Sequence, residues 1–137
     1  MRYMGIDYGD ARVGVAISDP LEITSQGLET VPNKVYDKML NRISELITEY
    51  KPQKIIVGLP KNMDGTIGER GEISKKFVAD LKEKYKDIEF ILWDERLSTV
   101  QASRVLNETN TRGKKRKSVI DTVAASIILE SYMNTLL

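Results

Sequence analysis

Lys54-Ile55-Ile56-Val57-Gly58 is the stretch that most narrows what this 137-residue chain can fold into. A short unbroken apolar run of this kind is the pattern of a strand covered on both faces, as in parallel sheets. Amphipathic segments stand on either side of it. Lys34 to Tyr50 sets Val35, Met39, Ile43, Leu46, Ile47 and Tyr50 on one helical stripe, which Lys51-Pro52 ends. From Glu69 to about Lys86, Ile73, Phe77, Leu81 and Tyr85 recur at spacing four, after a loop from Leu59 to Gly68. A strand between two helices that each bury one face implies a sheet with helices packed on it.

The flanking sequence supplies the other strands. Arg2 to Asp7 reads as one, and the turn Gly9-Asp10-Ala11 leads into Arg12 to Ser18, where Val13, Val15 and Ile17 alternate with Gly14, Ala16 and Ser18. Asp19-Pro20 breaks that run, and a third strand within Glu22 to Val31 completes an antiparallel meander. Ile88 to Trp93 is a further strand. Ser98 opens a third helix with Gln101 at capping-box spacing, and the last helix runs from Ser118 to about Asn134. The order is β-β-β-α-β-α-β-α-α. It predicts an α/β fold with a mixed five-stranded sheet, an antiparallel three-strand meander plus two parallel strands, flanked by helices. Residues 1–137 are expected to form a single domain.

The chain contains no cysteine and no histidine. That excludes, within this chain, Ser-His-Asp and Cys-His nucleophile systems, zinc sites built on those residues and imidazole acid–base work. Any metal held by side chains must sit on oxygen, which points to magnesium or manganese. The N-terminus lacks an apolar stretch of signal-peptide length, and the longest strongly apolar run, Val123 to Leu129, is too short to span a bilayer. A soluble cytoplasmic protein, with no membrane contact, is the expectation.

Net charge is +1, but it is unevenly spread. Arg96, Arg104, Arg112, Lys114, Lys115, Arg116 and Lys117 face one acid, Glu108, over residues 96–117, a net +6 against −5 for the rest. A charge run is also what a solvated loop carries. In a near-neutral protein, such concentration suggests a localised contact with a polyanion.

In mixed sheets ligands bind beyond the carboxyl ends of the parallel strands. Asp7 stands at the first such end, and Asp94 with Glu95 at the last. Turn chemistry also accounts for acids there, and either Asp94 or Glu95 can pair with Arg96. Asp121 shares a helical face with Ala124, Ala125, Ile128 and Tyr132, a packing face on which a carboxylate is costly unless a cation or donor compensates it. Ser118 and Asp121 also read as a capping box. Together the three sites suggest carboxylates converging on one or two divalent ions, the arrangement that hydrolyses phosphodiesters without histidine. The basic run just ahead of Asp121 would hold phosphates beside them.

These residues resemble the YqgF family, also called RuvX, of the RNase H-like superfamily. The resemblance covers essentially the whole chain: Gly5-Ile6-Asp7-Tyr8-Gly9 with Arg12-Val13-Gly14-Val15-Ala16, Val57-Gly58-Leu59-Pro60 with Asn62-Met63-Asp64-Gly65, Asp94-Glu95-Arg96-Leu97-Ser98-Thr99, and Asp121 before Ala124-Ala125. It implies an RNase H-like fold and an Asp-Glu-Asp site on Asp7, Glu95 and Asp121, both catalytic and metal-binding, with magnesium or manganese as cofactor. It further implies a nuclease maturing the 5′ end of the 16S ribosomal RNA precursor, or alternatively a Holliday junction resolvase acting on DNA. Arg96, Arg112, Lys114, Lys115, Arg116 and Lys117 would contact the nucleic acid, structured RNA in the first reading. The chain would act as a monomer or homodimer. Two readings of other classes compete. A non-catalytic RNA-binding factor would bind through the basic run alone. A nucleotide-binding module is suggested by Asp7-Tyr8-Gly9, which is similar to the phosphate loop of actin-like ATPases, although those close two lobes around ATP and 137 residues allow one.

Overall fold

A computed structural model describes residues 2–21, 24–98 and 114–136, with side chains in the last segment from residue 121 onward. Its strands are β1 (Tyr3–Tyr8), β2 (Arg12–Ser18), β3 (Ser25–Pro32), β4 (Lys54–Leu59) and β5 (Glu89–Asp94). Helices α1 (Tyr36–Tyr50) and α2 (Glu69–Lys84) lie between strands, a 3-10 turn (Glu95–Leu97) follows β5, and α3 (Lys114–Asn134) comes last. The sheet order is β3-β2-β1-β4-β5. β1 and β2, and β2 and β3, pair antiparallel, while β1 with β4 and β4 with β5 pair parallel. This is the expected meander joined to two parallel strands.

The strand alternation sorts side chains onto two faces. Met4, Ile6, Val13, Val15, Ile17, Ile55 and Val57 pack with Met39, Ile43, Leu46 and Ile47 of α1 and with Phe77, Val78 and Leu81 of α2. Tyr3, Ala16 and Ile56 point the other way, onto Ala124, Ala125, Ile128, Leu129 and Tyr132 of α3. Each large aliphatic or aromatic side chain removed from water contributes about 1.5–3 kcal/mol, so both layers are anchored to the same strands. The two faces differ in how closely the helix approaches. Gly5, Gly14, Gly27 and Gly58, one on each of β1 to β4, lie directly under α3, and a Cβ at any of them would collide with it.

Four expectations need correction or bounding. Val35 lies outside the buried stripe: it is the N-cap of α1 and half exposed, because the backbone there is still extended. Helix α3 starts at Lys114 rather than Ser118, so Ser118 is interior and the capping-box reading fails. Lys114 to Lys117 are accordingly the first turn of a helix and not a loop; they are good helix formers with no breaker before Ser118. Ser98, expected to open the third helix, ends the 3-10 turn in extended conformation, and the helix expected beyond it, with Gln101, Arg104, Glu108 and Arg112, lies outside the described residues. Among the described residues, no helix is long and apolar enough to cross a membrane.

Candidate active site

Asp7 sits near the carboxyl end of β1, on the face covered by α3. Tyr3 and Gly5 point the same way, as strand period two requires. On one side its antiparallel partner is Gly14. On the other, the parallel register that sets Ile6 against Val57 brings Asp7 alongside Gly58. Each glycine leaves space that another acid approaches. A Cβ on Gly14 would overlap the backbone carbonyl of Asp121 and stand 3.1 Å from its Cβ. A Cβ on Gly58 would stand 3.0 Å from Oε2 of Glu95. Asp7 is therefore the middle of a row, with Asp121 to one side and Glu95 to the other. Asp7 and Glu95 are buried, at 7% and 3% exposure, which for carboxylates demands specific compensation.

The turn beneath Asp7 is clamped from outside. The Asn33 side-chain amide donates to the Gly9 carbonyl at 2.9 Å, and the Asn33 backbone N–H donates to the Ala11 carbonyl at 2.9 Å. This turn, with Asp7, Arg12, Arg70 and Asp121, lines an open cleft of about 380 Å³. Asp121 is compensated within it: Arg12 Nε donates to Asp121 Oδ2 at 2.5 Å. The cation that a carboxylate on this packing face requires is thus Arg12. Among the described residues, no three acidic side chains are closed up to the distance at which they would jointly hold an ion.

Asp94 and Glu95, adjacent in sequence, are separated by geometry. Asp94 caps the 3-10 turn by accepting from the Arg96 backbone N–H at 2.9 Å and pairs with the Arg96 guanidinium at 2.8 Å. Lys61 Nζ lies 3.8 Å away. Hydrogen bonding from the Arg96 side chain holds the Asp94 carboxyl below the usual range, against the opposing effect of burial. Asp94 is thereby committed to the turn, and the turn aims Glu95 inward. Ser98 closes it by donating from Oγ to the Glu95 carbonyl at 3.0 Å.

Of the expected phosphate contacts, Arg96 is half exposed and paired with Asp94. Arg112 lies outside the described residues. Lys114, Lys115, Arg116 and Lys117 form the helical turn one to two turns ahead of Asp121. Sequence reasoning passed over Arg12 and Arg70. For Arg12 the signal was present: period two places it on the face of Gly14 and Ala16, not with Val13 and Val15.

The fold has a structural counterpart in the RuvC of Thermus thermophilus in complex with a Holliday junction substrate. The likeness has a TM-score of 0.59 at 13% identity and covers 98% of this chain and 96% of that one. The fold is that of the RNase H-like resolvases. A family model described as RuvX: Holliday junction resolvase matches residues 1–135, and the chain belongs to that family. Proteins of Acetivibrio thermocellus and Halothermothrix orenii, each provisionally named pre-16S rRNA nuclease, are 51% and 54% identical to it. Those matches cover 98% of this chain and 96% and 95% of the relatives. Family and relatives agree on one class of activity, and by that membership the chain is a nuclease, a hydrolase of phosphodiester bonds.

Proposed function

We propose that residues 1–137 work as one divalent-metal-dependent nuclease unit that cleaves structured RNA in maturing the 5′ end of the 16S ribosomal RNA precursor. Asp7, Glu95 and Asp121 are the residues that hold the metal and carry the catalysis. The observation that carries this reading is the pair of glycines beside Asp7, since each one opens the space that another acid approaches. The donor set suits a hard cation: three carboxylates, two of them buried, in a chain with no histidine or cysteine. When bound, magnesium or manganese would lower the pKa of the attacking water and neutralise charge on the departing oxygen.

The protein's own residues do the rest. The clamped Gly9-Asp10-Ala11 turn fixes the end of β1, so Asp7 keeps its place as substrate enters. Burial of Asp7 and Glu95 limits competing water and strengthens their field. Lys114 to Lys117 stand at the start of α3, where the helix dipole disfavours cations. A phosphate backbone laid across that turn relieves both the dipole and the crowded charge. Arg112, and more weakly Arg96, extend the same contact.

Cleavage of a ribosomal precursor fragment and a four-way DNA junction, side by side with and without manganese, tests the reading. Manganese-dependent cutting of the RNA that Asp7→Asn abolishes is the expected result. Cutting of the junction alone would favour the second reading, resolution of Holliday junctions, for which the family description and the junction-bound fold relative speak. That activity needs two sites related by two-fold symmetry, so a sedimentation profile showing only monomer would count against it. Metal-independent binding without cleavage of either would leave the non-catalytic RNA-binding role.

A further inference from the structure

We infer that Arg12 is a displaceable counter-ion for Asp121: it holds this carboxylate in the metal-free protein and competes with the divalent cation for it. The inference rests on the reading of Asp7, Glu95 and Asp121 as metal-holding residues. Three observations converge on it. Arg12 Nε lies 2.5 Å from Asp121 Oδ2, a bond joining residues 109 positions apart. An ion bound to the same oxygen at about 2.1 Å would stand within about 5 Å of the guanidinium, where like charges repel strongly in a partly buried site. And the backbone of Asp121 lies against Gly14, the antiparallel neighbour of Asp7, so the acid that Arg12 holds stands beside the central carboxylate of the site.

Arg12 can leave. Its side chain is 39% exposed against 18% for Asp121, so the arginine has a path to solvent and the carboxylate stays in the wall of the cleft. Its backbone is fixed by pairing with Pro32 of β3, so only the side chain moves. Loading the site is therefore an exchange of one cation for another at Asp121. The metal-free protein keeps its acid on α3 ordered, and its apparent affinity for metal is reduced by the work of breaking the pair.

Titration calorimetry with manganese chloride on the whole protein separates the alternatives. Arg12→Gln should bind manganese about fivefold more tightly than the parent, the factor expected for releasing a partly exposed ion pair. Damage to the site would move affinity the opposite way. Arg12→Lys, which keeps the charge but loses the planar fork, should fall between the two. Arg70 lines the same cleft and pairs instead with Asp10, 3.7 Å away, so Arg70→Gln removes equal charge and leaves the Arg12–Asp121 pair intact. It should change affinity by less than about twofold, as a screened surface charge does. Arg12→Gln binding no tighter than the parent, or Arg70→Gln tightening binding equally, overturns the exchange. If Arg12→Gln does not fold by circular dichroism, Arg12→Lys decides: tighter binding supports the exchange and equal or weaker binding overturns it. Asp7→Asn binding manganese as well as the parent would instead defeat the metal-holding reading itself.

Discussion

Alanine at position 14 and alanine at position 58 add the same methyl group on either side of Asp7, yet they should fail differently. At Gly14 the new Cβ would overlap the Asp121 carbonyl oxygen and stand 2.5 Å from its carbonyl carbon. Carbon atoms pack at about 3.5–4.0 Å, so the backbone of α3 must retreat by about 1 Å. The retreat is not free, because it would lift α3 off Gly5 one turn on, where Ala125 O and Leu129 Cβ each lie 2.7 Å from the position a Cβ would take, and so lose close packing there. The cost should be at the top of the overpacking range, about 3 kcal/mol, less a few tenths for the stiffer unfolded chain. For a domain of this length that lowers the melting temperature by about 10 °C. At Gly58 the obstructions are Ile128 Cδ1 at 2.6 Å and Glu95 Oε2 at 3.0 Å, both ends of side chains that can turn aside. Gly58→Ala should therefore cost only about 1 kcal/mol. Turning Glu95 aside misplaces a carboxylate by about 1 Å, however, which can cost about 100-fold in rate. Thermal melts of the metal-free proteins, with single-turnover RNA cleavage at a temperature where both variants are folded, provide the two readouts. A Gly14→Ala melt matching the parent, or full cleavage by Gly58→Ala, would refute the reasoning.

Asp7→Asn should abolish cleavage while leaving the metal-free melting temperature equal or higher, because it removes charge from a buried position between two other acids; a lower melt with activity retained would contradict this. Replacing Lys114, Lys115, Arg116 and Lys117 together by glutamine should flatten the log–log salt dependence of RNA binding by about three units and leave manganese affinity unchanged. An unchanged slope would remove this turn from the interface. Acid stability has a definite sign. The carboxyls of Glu29, Asp64, Asp80 and Asp94 are held below their ordinary range by hydrogen bonds from Arg42, Thr66, Tyr36 and Arg96 respectively. Their contribution is present above the unfolded carboxylate pKa of about 4 and is lost as pH falls through the lower folded values. Urea midpoints from pH 5 downward should fall, and Arg42→Gln should remove the part due to Glu29; an unchanged acid slope in that variant would exclude the pair.

Local pattern carried much of this architecture. β2 runs over Arg12–Ser18 as its alternation predicts, and the apolar run beginning at Lys54 is indeed the strand between two parallel neighbours. The strand-end positions of Asp7 and of the Asp94-Glu95 pair were readable for the same reason. What pattern could not supply was contact between distant residues. Nothing local says that Arg12 meets Asp121, or that Gly14 and Gly58 are the neighbours of Asp7. The choice between Asp94 and Glu95 required knowing that the chain tightens into a 3-10 turn capped by Asp94. Two local rules also misled. Ser118 with Asp121 has capping-box spacing, but the helix formers upstream extend α3 past it. Val35 fits the α1 periodicity, but it precedes the first helical residue and so escapes the buried stripe.

A helix resting on glycines meets a nearly smooth track, with few knobs to index where along it the helix stops. The position of α3 is then indexed by its polar detents: Arg12 with Asp121, Ser25 with Ser126 at 2.8 Å, Trp93 with Ser131 at 3.0 Å, and Lys54 with Tyr132 at 3.2 Å. Substitutions at the three outlying pairs, Ser25 with Ser126, Trp93 with Ser131 and Lys54 with Tyr132, would slide Asp121 relative to Asp7 without touching either acid, giving the protein a way to retune the spacing of its carboxylates from a distance.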